Sequence, residues 1–347
     1  MPLLRTSLSR LLGACLLALS ISTAHSWSQE LLSRDISSQT TNLSAGSKHS
    51  ALDTTTEDRS LLSLTGSKLH ASPPLLGEND NYPSFTRELL QVQWRSGDPI
   101  DLYVILPKGI THPPVILYVY GYPSDTHIFQ DPDFCTLVTK NGFAAVGFAS
   151  ALTGQRYHDR PMREWFISEL QESLVSSVHD VQMILDYLAS RGDVDMDRVG
   201  MFGEGSGATI AILAATVEPR LKVLDLLDPW GNWPEWLNKS SLVPKQERAD
   251  YLRSDFLKKV ELLDPVKLLP ELRSQMVRIQ DALYEKVTPS SAKKRIENAL
   301  PATASIVRFK NSQALENAAS DGKFFDWVKE QVRVSDRSTG RIDIGTK

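Results

Sequence analysis

The stretch Gly203-Glu204-Gly205-Ser206-Gly207 sets a carboxylate and a hydroxyl among glycines. It lies directly after the apolar run Val199 to Phe202 and directly before the helical run Ala208 to Val217. A strand that stops at a glycine-rich knot and turns at once into a helix is the geometry of a nucleophile elbow. Small residues there surround a reactive side chain held at an exposed, strained apex. The apex position here is Gly205, which has no side chain to attack a carbonyl. Two neighbours carry chemistry instead. Ser206 would sit one residue into the helix, where serine ordinarily serves as a helix-start residue. Glu204 could act as an acid or hydrogen-bond acceptor, or only complement the positive end of the helix, an effect of a few tenths to about 1 kcal/mol.

A serine nucleophile needs a base within hydrogen-bond reach. The histidines are His25, His49, His70, His112, His127, His158 and His179, and every one precedes the elbow. His127 and His158 follow strand runs and are the two able to approach the elbow, so Ser206–His127 and Ser206–His158 are the pairs a rewired site would use. The cluster His158-Asp159-Arg160 also reads as polar contacts at a surface or pocket rim. No histidine pair or carboxylate cluster has metal-ligand spacing, and no cofactor is expected.

The elements that must position these residues follow a simple order. Gln91 to Arg95 and Ile100 to Leu106 read as a hairpin across Ser96-Gly97-Asp98-Pro99. Val115 to Tyr120 and Phe143 to Ala149 are nearly continuous in β-formers, as strands covered on both faces are; a helical stretch around Phe134 to Lys140 lies between them. Trp165 to Ser190 has helical spacing and is closed by Arg191-Gly192. Strand runs recur at Val199 to Phe202, Leu221 to Leu227, Met276 to Ile279 and Ser305 to Phe309. Helical patterns separate or follow them at Ala208 to Val217, Ala292 to Leu300 and Phe324 to Val332. A hairpin followed by alternating strand and helix predicts an α/β fold, a mostly parallel sheet with helices on both faces.

A helical insert, 229–275, breaks that rhythm after the sixth strand run. It opens Trp230-Gly231-Asn232-Trp233-Pro234-Glu235-Trp236. Insertions after a strand end sit over the carboxyl edge of an open sheet, where ligands bind. The tryptophans read either as anchors of the insert or as an aromatic pocket wall. Tyr118, Tyr120 and Tyr122 share the spacing of one strand face, and core packing accounts for the first two.

The chain has 347 residues and a formal net charge of −4 with no basic block, so nothing favours nucleic acid or an anionic membrane as partner. Arg5 and Arg10, an apolar segment from Leu11 to Ile21 and small polar residues to Ser26 have the order of a secretory signal peptide, 1–26. The apolar segment is too short to span a bilayer. An exported protein, secreted or periplasmic, is therefore expected. Cys15 would leave with the signal, and Cys135 alone cannot form an intramolecular disulfide. Residues 27–81, rich in Ser and Thr, are expected to be a linker. Residues 82–334 form the folded domain and 335–347 a tail.

The strand and helix order from Tyr82 to Val332, with its elbow at Gly203 to Gly207, resembles the α/β-hydrolase superfamily. The approach Asp195-Met196-Asp197-Arg198-Val199-Gly200-Met201-Phe202-Gly203 is similar to that of its dienelactone-hydrolase and prolyl-oligopeptidase-like branches. The resemblance implies a nucleophile at Gly205 and an acid at Glu285, within Glu285-Lys286-Val287-Thr288-Pro289. It implies a base near Gln313, in the loop Lys310 to Glu316. Nucleophile and histidine are both missing. The backbone donors of an oxyanion hole would be the N–H of Ser206 and that of Gly121 or Tyr122, because Pro123 has none. These would survive and could hold a small carbonyl or carboxylate ligand. The expectation is a non-catalytic member of the superfamily that binds a ligand or a protein partner, neither of which the residues identify. The alternative is an active esterase, lactonase or peptidase-like hydrolase working through the rewired pair.

Overall fold

The computed structural model describes residues 60–334 except 66, 70–72, 96–97, 123–125, 153–168, 274 and 321–322. The expected signal peptide 1–26, most of the expected linker, the tail 335–347, Pro123 and the His158-Asp159-Arg160 cluster lie outside the described residues.

Strands form where the sequence offers apolar or alternating runs: β1 Leu75–Asn81, β2 Phe85–Arg95, β3 Asp98–Pro107, β4 Pro114–Val119, β5 Ala144–Phe148, β6 Asp195–Glu204, β7 Leu221–Leu227, β8 Met276–Ala282 and β9 Ser305–Phe309. They make one sheet in the order β1-β2-β3-β5-β4-β6-β7-β8-β9. The first three are antiparallel and β3 pairs antiparallel with β5. From β5 through β9 every pairing is parallel. The crossovers are carried by helices: α1 Pro132–Thr139, α2 Leu170–Arg191, α3 Ser206–Ala215, then the insert helices α4 Trp233–Lys239, α5 Arg248–Tyr251, α6 Ser254–Glu261 and α7 Pro265–Leu268, and finally α8 Ser290–Asn298, α9 Ser312–Ser320 and α10 Asp326–Val334.

Alternate residues of β4 feed two separate cores. Val115, Leu117 and Val119 pack with α2, α3 and the insert on one face. Ile116, Tyr118 and Tyr120 pack with α1, α9 and α10 on the other. The two tyrosines are core residues, as their strand spacing implied. A nearly unbroken β-forming run is what a strand needs when both its faces are covered by helices.

Two expectations are corrected. The fold begins ahead of Tyr82: β1 pairs with β2, and Leu62, 2 % exposed, sits in the core. Gln182 on α2 donates to the carbonyl of Leu62 at 2.7 Å and accepts the N–H of Leu64 at 3.2 Å, so this end of the expected linker is strapped to the domain. The insert consequently follows the seventh strand, not the sixth. The second correction concerns the loop 310–316, which enters helix α9 at Ser312.

Candidate functional site

The β6–α3 turn is held by close backbone approach. A Cβ on Gly207 would lie 2.0 Å from the Val119 carbonyl oxygen, and one on Gly203 would meet the Gly207 carbonyl at 2.5 Å. Only hydrogen fits at either place, which allows β4 and β6 to bring the turn to the carboxyl edge of the sheet. Gly205, the apex, has φ 53° and ψ −116°. A residue with a side chain would pay about 1–3 kcal/mol there; glycine adopts it freely. The elbow is thus fully built, with hydrogen at its tip.

Ser206 is wholly buried. Its Oγ accepts the N–H of Tyr122 at 3.0 Å. Two expectations change with this contact. The hydroxyl does not stand at the apex, and His127, its proposed base, is exposed on the turn His127–Gln130. The Tyr122 N–H, one of the two candidates for the second oxyanion donor, is already engaged; Gly121 is packed so tightly on the elbow that an added Cβ would meet the Glu204 carbonyl at 2.5 Å.

Glu285 stands where the acid was expected, after β8, but its carboxylate turns back onto its own loop. It accepts the N–H of Val287 and, at 3.0 Å, that of Thr288. Gln313 is exposed on α9 and donates to Asn317 Oδ1 at 2.9 Å. Neither residue orients a base.

Gly121, Tyr122, Glu204, Gly205, Asp228, Trp230, Ala282, Tyr284, Glu285 and Val287 line a cleft of about 40 Å³ at the elbow. Glu204 is 7 % exposed, and among the described residues nothing hydrogen-bonds its carboxyl. Burial, followed by the charges of Asp228 and Glu285, pushes it up to about 8. Asp228, the residue directly after β7, is raised to about 7 by burial, against the pull of Lys293. Lys293 on α8 donates to Asp228 Oδ1, and at 2.8 Å to the Ala282 carbonyl, and lies 3.7 Å from Glu285 Oε2. An acid-lined cleft with one of its amide donors occupied disfavours a carboxylate ligand by like-charge repulsion.

Both readings of the tryptophans hold, for different residues. Trp233 and Trp236 are buried anchors packed edge to face, 5.8 Å between centroids. Trp230 forms the cleft wall, with Nε1 3.1 Å from where a Gly205 Cβ would stand. Thr209 on α3 fixes it: the hydroxyl donates to the Trp230 carbonyl at 2.8 Å and accepts its N–H at 3.1 Å. Thr209→Val removes both of these buried hydrogen bonds, and a loss of about 1–3 kcal/mol is expected in urea denaturation.

The sequence reading missed Asp228, Tyr284 and Lys293. Asp228 carried a signal, being the first residue past a parallel strand's carboxyl end, where ligands gather in such sheets. Tyr284 and Lys293 carried none. Among the described residues no group of three His, Cys, Asp or Glu is placed to hold a metal ion, and no helix is long and apolar enough to cross a membrane.

The strand order, the parallel crossovers and the strand–elbow–helix define the α/β-hydrolase fold, and this chain adopts it. Solved structures similar to it include an acetyl xylan esterase from Paenibacillus sp. R4, with TM-score 0.60, 17% identity, and coverage of 78% of this chain and 91% of that one. Acetyl xylan esterase 1 from Thermoanaerobacterium sp. JW/SL YS485 has TM-score 0.59 and 17% identity, covering 77% and 93%. The acylaminoacyl peptidase of Pyrococcus horikoshii has TM-score 0.53 and 14% identity, covering 80% of this chain and 51% of that one. At such identities the likeness is one of fold. No protein-family model matches the sequence, and no curated protein matches it.

Proposed function

We propose that this chain is an exported α/β-hydrolase-fold protein that does not hydrolyse esters or peptides by the nucleophile–histidine route and instead uses the elbow cleft for binding. The observation that carries the reading is the elbow itself: Gly205 occupies the apex angles, and the adjacent hydroxyl of Ser206 is buried against Tyr122. The absence of histidine beyond His179 supports it independently. Fold-level likeness to esterases and a peptidase does not supply chemistry, because function resides in the site.

Magnitudes favour binding over slow turnover. Loss of nucleophile or base in a serine hydrolase removes about 10⁶ in kcat, and what remains, roughly 10³–10⁴ over water, depends on binding and an intact oxyanion hole. Here the Tyr122 donor is engaged and the cleft at the elbow is small, about 40 Å³. A screen of acetyl and longer-chain esters, lactones and peptide amides is expected to give no turnover that Ser206→Ala removes. Turnover dependent on Ser206 would overturn the reading.

A further inference from the structure

The cleft at Gly205 has an unusual charge inventory. Glu204, at the end of β6, Asp228, after β7, and Glu285, after β8, all face it. Among the described residues Lys293 is the cation that acts on Asp228, and it is committed to Asp228 and to the Ala282 carbonyl. Glu204 has no such partner. The residue is more than nine-tenths buried and lines the cleft, and its carboxyl has no hydrogen bond among the described residues. A buried carboxyl without a partner is costly to keep and marks a place where a complementary group belongs.

The walls narrow the choice of group. Tyr122, Trp230 and Tyr284 bring three aromatic rings to the lining, and Tyr284, 38 % exposed, stands at the solvent side. Carboxylates with aromatic faces are the surroundings that favour an organic cation. An acceptor without a partner calls for an N–H donor, which a primary ammonium carries and a quaternary ammonium lacks.

We propose that this cleft binds a primary ammonium group, with Glu204 as its acceptor and its carbon chain leaving past Tyr122 and Tyr284. The proposal rests on the reading that the cleft is not hydrolytic, and it names the ligand class. The bound cation supplies the charge the three carboxyls lack beside Lys293. Glu204 holds its proton at neutral pH, so binding the ammonium requires that proton to leave. Asp228, Glu285, Lys293, Tyr122 and Tyr284 are the other ionisable groups facing it, and of these Asp228 also titrates near neutrality.

Calorimetric titration of the whole protein with n-propylammonium chloride, from about pH 6 to about pH 9 and in two buffers of different ionisation enthalpy, tests this. Affinity is expected to rise roughly tenfold per pH unit up to about pH 8 and then level, with about one proton released per ligand near pH 7. Tetramethylammonium chloride, which has no N–H to donate, and propionamide, uncharged, are expected to bind at least about tenfold more weakly. Glu204→Gln is expected to weaken n-propylammonium at least about tenfold at pH 8 and to remove most of the pH dependence. No saturable binding at about 100 mM n-propylammonium at pH 9, equal binding of tetramethylammonium, tighter binding of propionamide, or binding without proton release would each overturn the proposal. Should the variant fail to fold, proton release by the unaltered protein decides. None of these readouts involves turnover, so their failure leaves the non-hydrolytic reading standing, whereas Ser206-dependent turnover would remove that reading whatever the titration gave.

Discussion

Arg278→Ala is expected to destabilise the protein by about 3–5 kcal/mol, the range for removing one partner of a buried ion pair. Asp225 on β7 is wholly buried and Arg278 is 9 % exposed. The guanidinium donates to both carboxylate oxygens, Nε to Oδ1 at 2.8 Å and Nη2 to Oδ2 at 2.6 Å, and also to the Phe324 carbonyl at 2.9 Å. It stacks over Trp327 at 5.0 Å. Without Arg278, Asp225 keeps only the amide of Gln280, at 3.0 Å. Burial already pushes the Asp225 carboxyl up despite the arginine, so the variant must bury an unpaired charge or carry a proton. Urea denaturation at neutral pH measures the loss, and part of it should return at low pH as Asp225 protonates. A paired replacement, Asp225→Leu with Arg278→Met, is expected to recover most of the stability. Losses under about 1 kcal/mol for Arg278→Ala would show that the pair is not shielded from water as described. The pair matters to the site because it joins β7 to β8 in register, and the ends of those strands carry Asp228 and Glu285.

Glu204→Gln is expected to remove the larger part of a decline in stability with rising pH. The ordinary value for this carboxyl is 4.5 and the folded protein raises it to about 8. Below about pH 4.5 both states hold the proton and the group is neutral to stability. Between about pH 4.5 and pH 8 the unfolded chain ionises while the folded chain stays protonated, so the folded state binds more protons and stability falls as pH rises. Above about pH 8 the penalty is complete. At about 1.4 kcal/mol per pH unit of displacement, the native protein is expected to lose roughly 3–5 kcal/mol across this window relative to Glu204→Gln. Asp228, raised to about 7, adds a decline of the same sign to both proteins. Thermal melts of the two at pH 4.5, 6 and 8 should diverge with rising pH, the variant becoming the more stable. Parallel curves would mean that Glu204 ionises freely and that the cleft is wetter than its lining implies.

The architecture was legible because its signals were local. Leu221 to Leu227 and Ser305 to Phe309 carry strand limits in their own composition and form strands with those limits. The chain Leu75 to Asn81 carries none: it is a polar edge strand, exposed along nearly its whole length, and it exists because β2 offers it an open edge. Lys310 to Glu316 was read as loop because the superfamily's base belongs there, and the run Ser312-Gln313-Ala314-Leu315 starts a helix instead, with Leu315 filling the core. At the site, Gly205 and Glu285 were found from the elbow and from position after a strand. The contact between Ser206 and Tyr122 could not be read, since it depends on how closely glycine-only packing brings β4 to the elbow. The set of Asp228, Glu285 and Lys293 likewise comes together only because β7, β8 and α8 are neighbours in space.

On the proposed reading the elbow is built and chemically silent. Incubation of the protein with a fluorophosphonate probe, followed by intact-mass measurement, addresses it at the one atom in question. No adduct is expected in the native protein or in Ser206→Ala, because the apex at Gly205 bears no hydroxyl and the hydroxyl of Ser206 is buried against the Tyr122 N–H. A stoichiometric adduct on the native protein that is lost in Ser206→Ala would contradict the account.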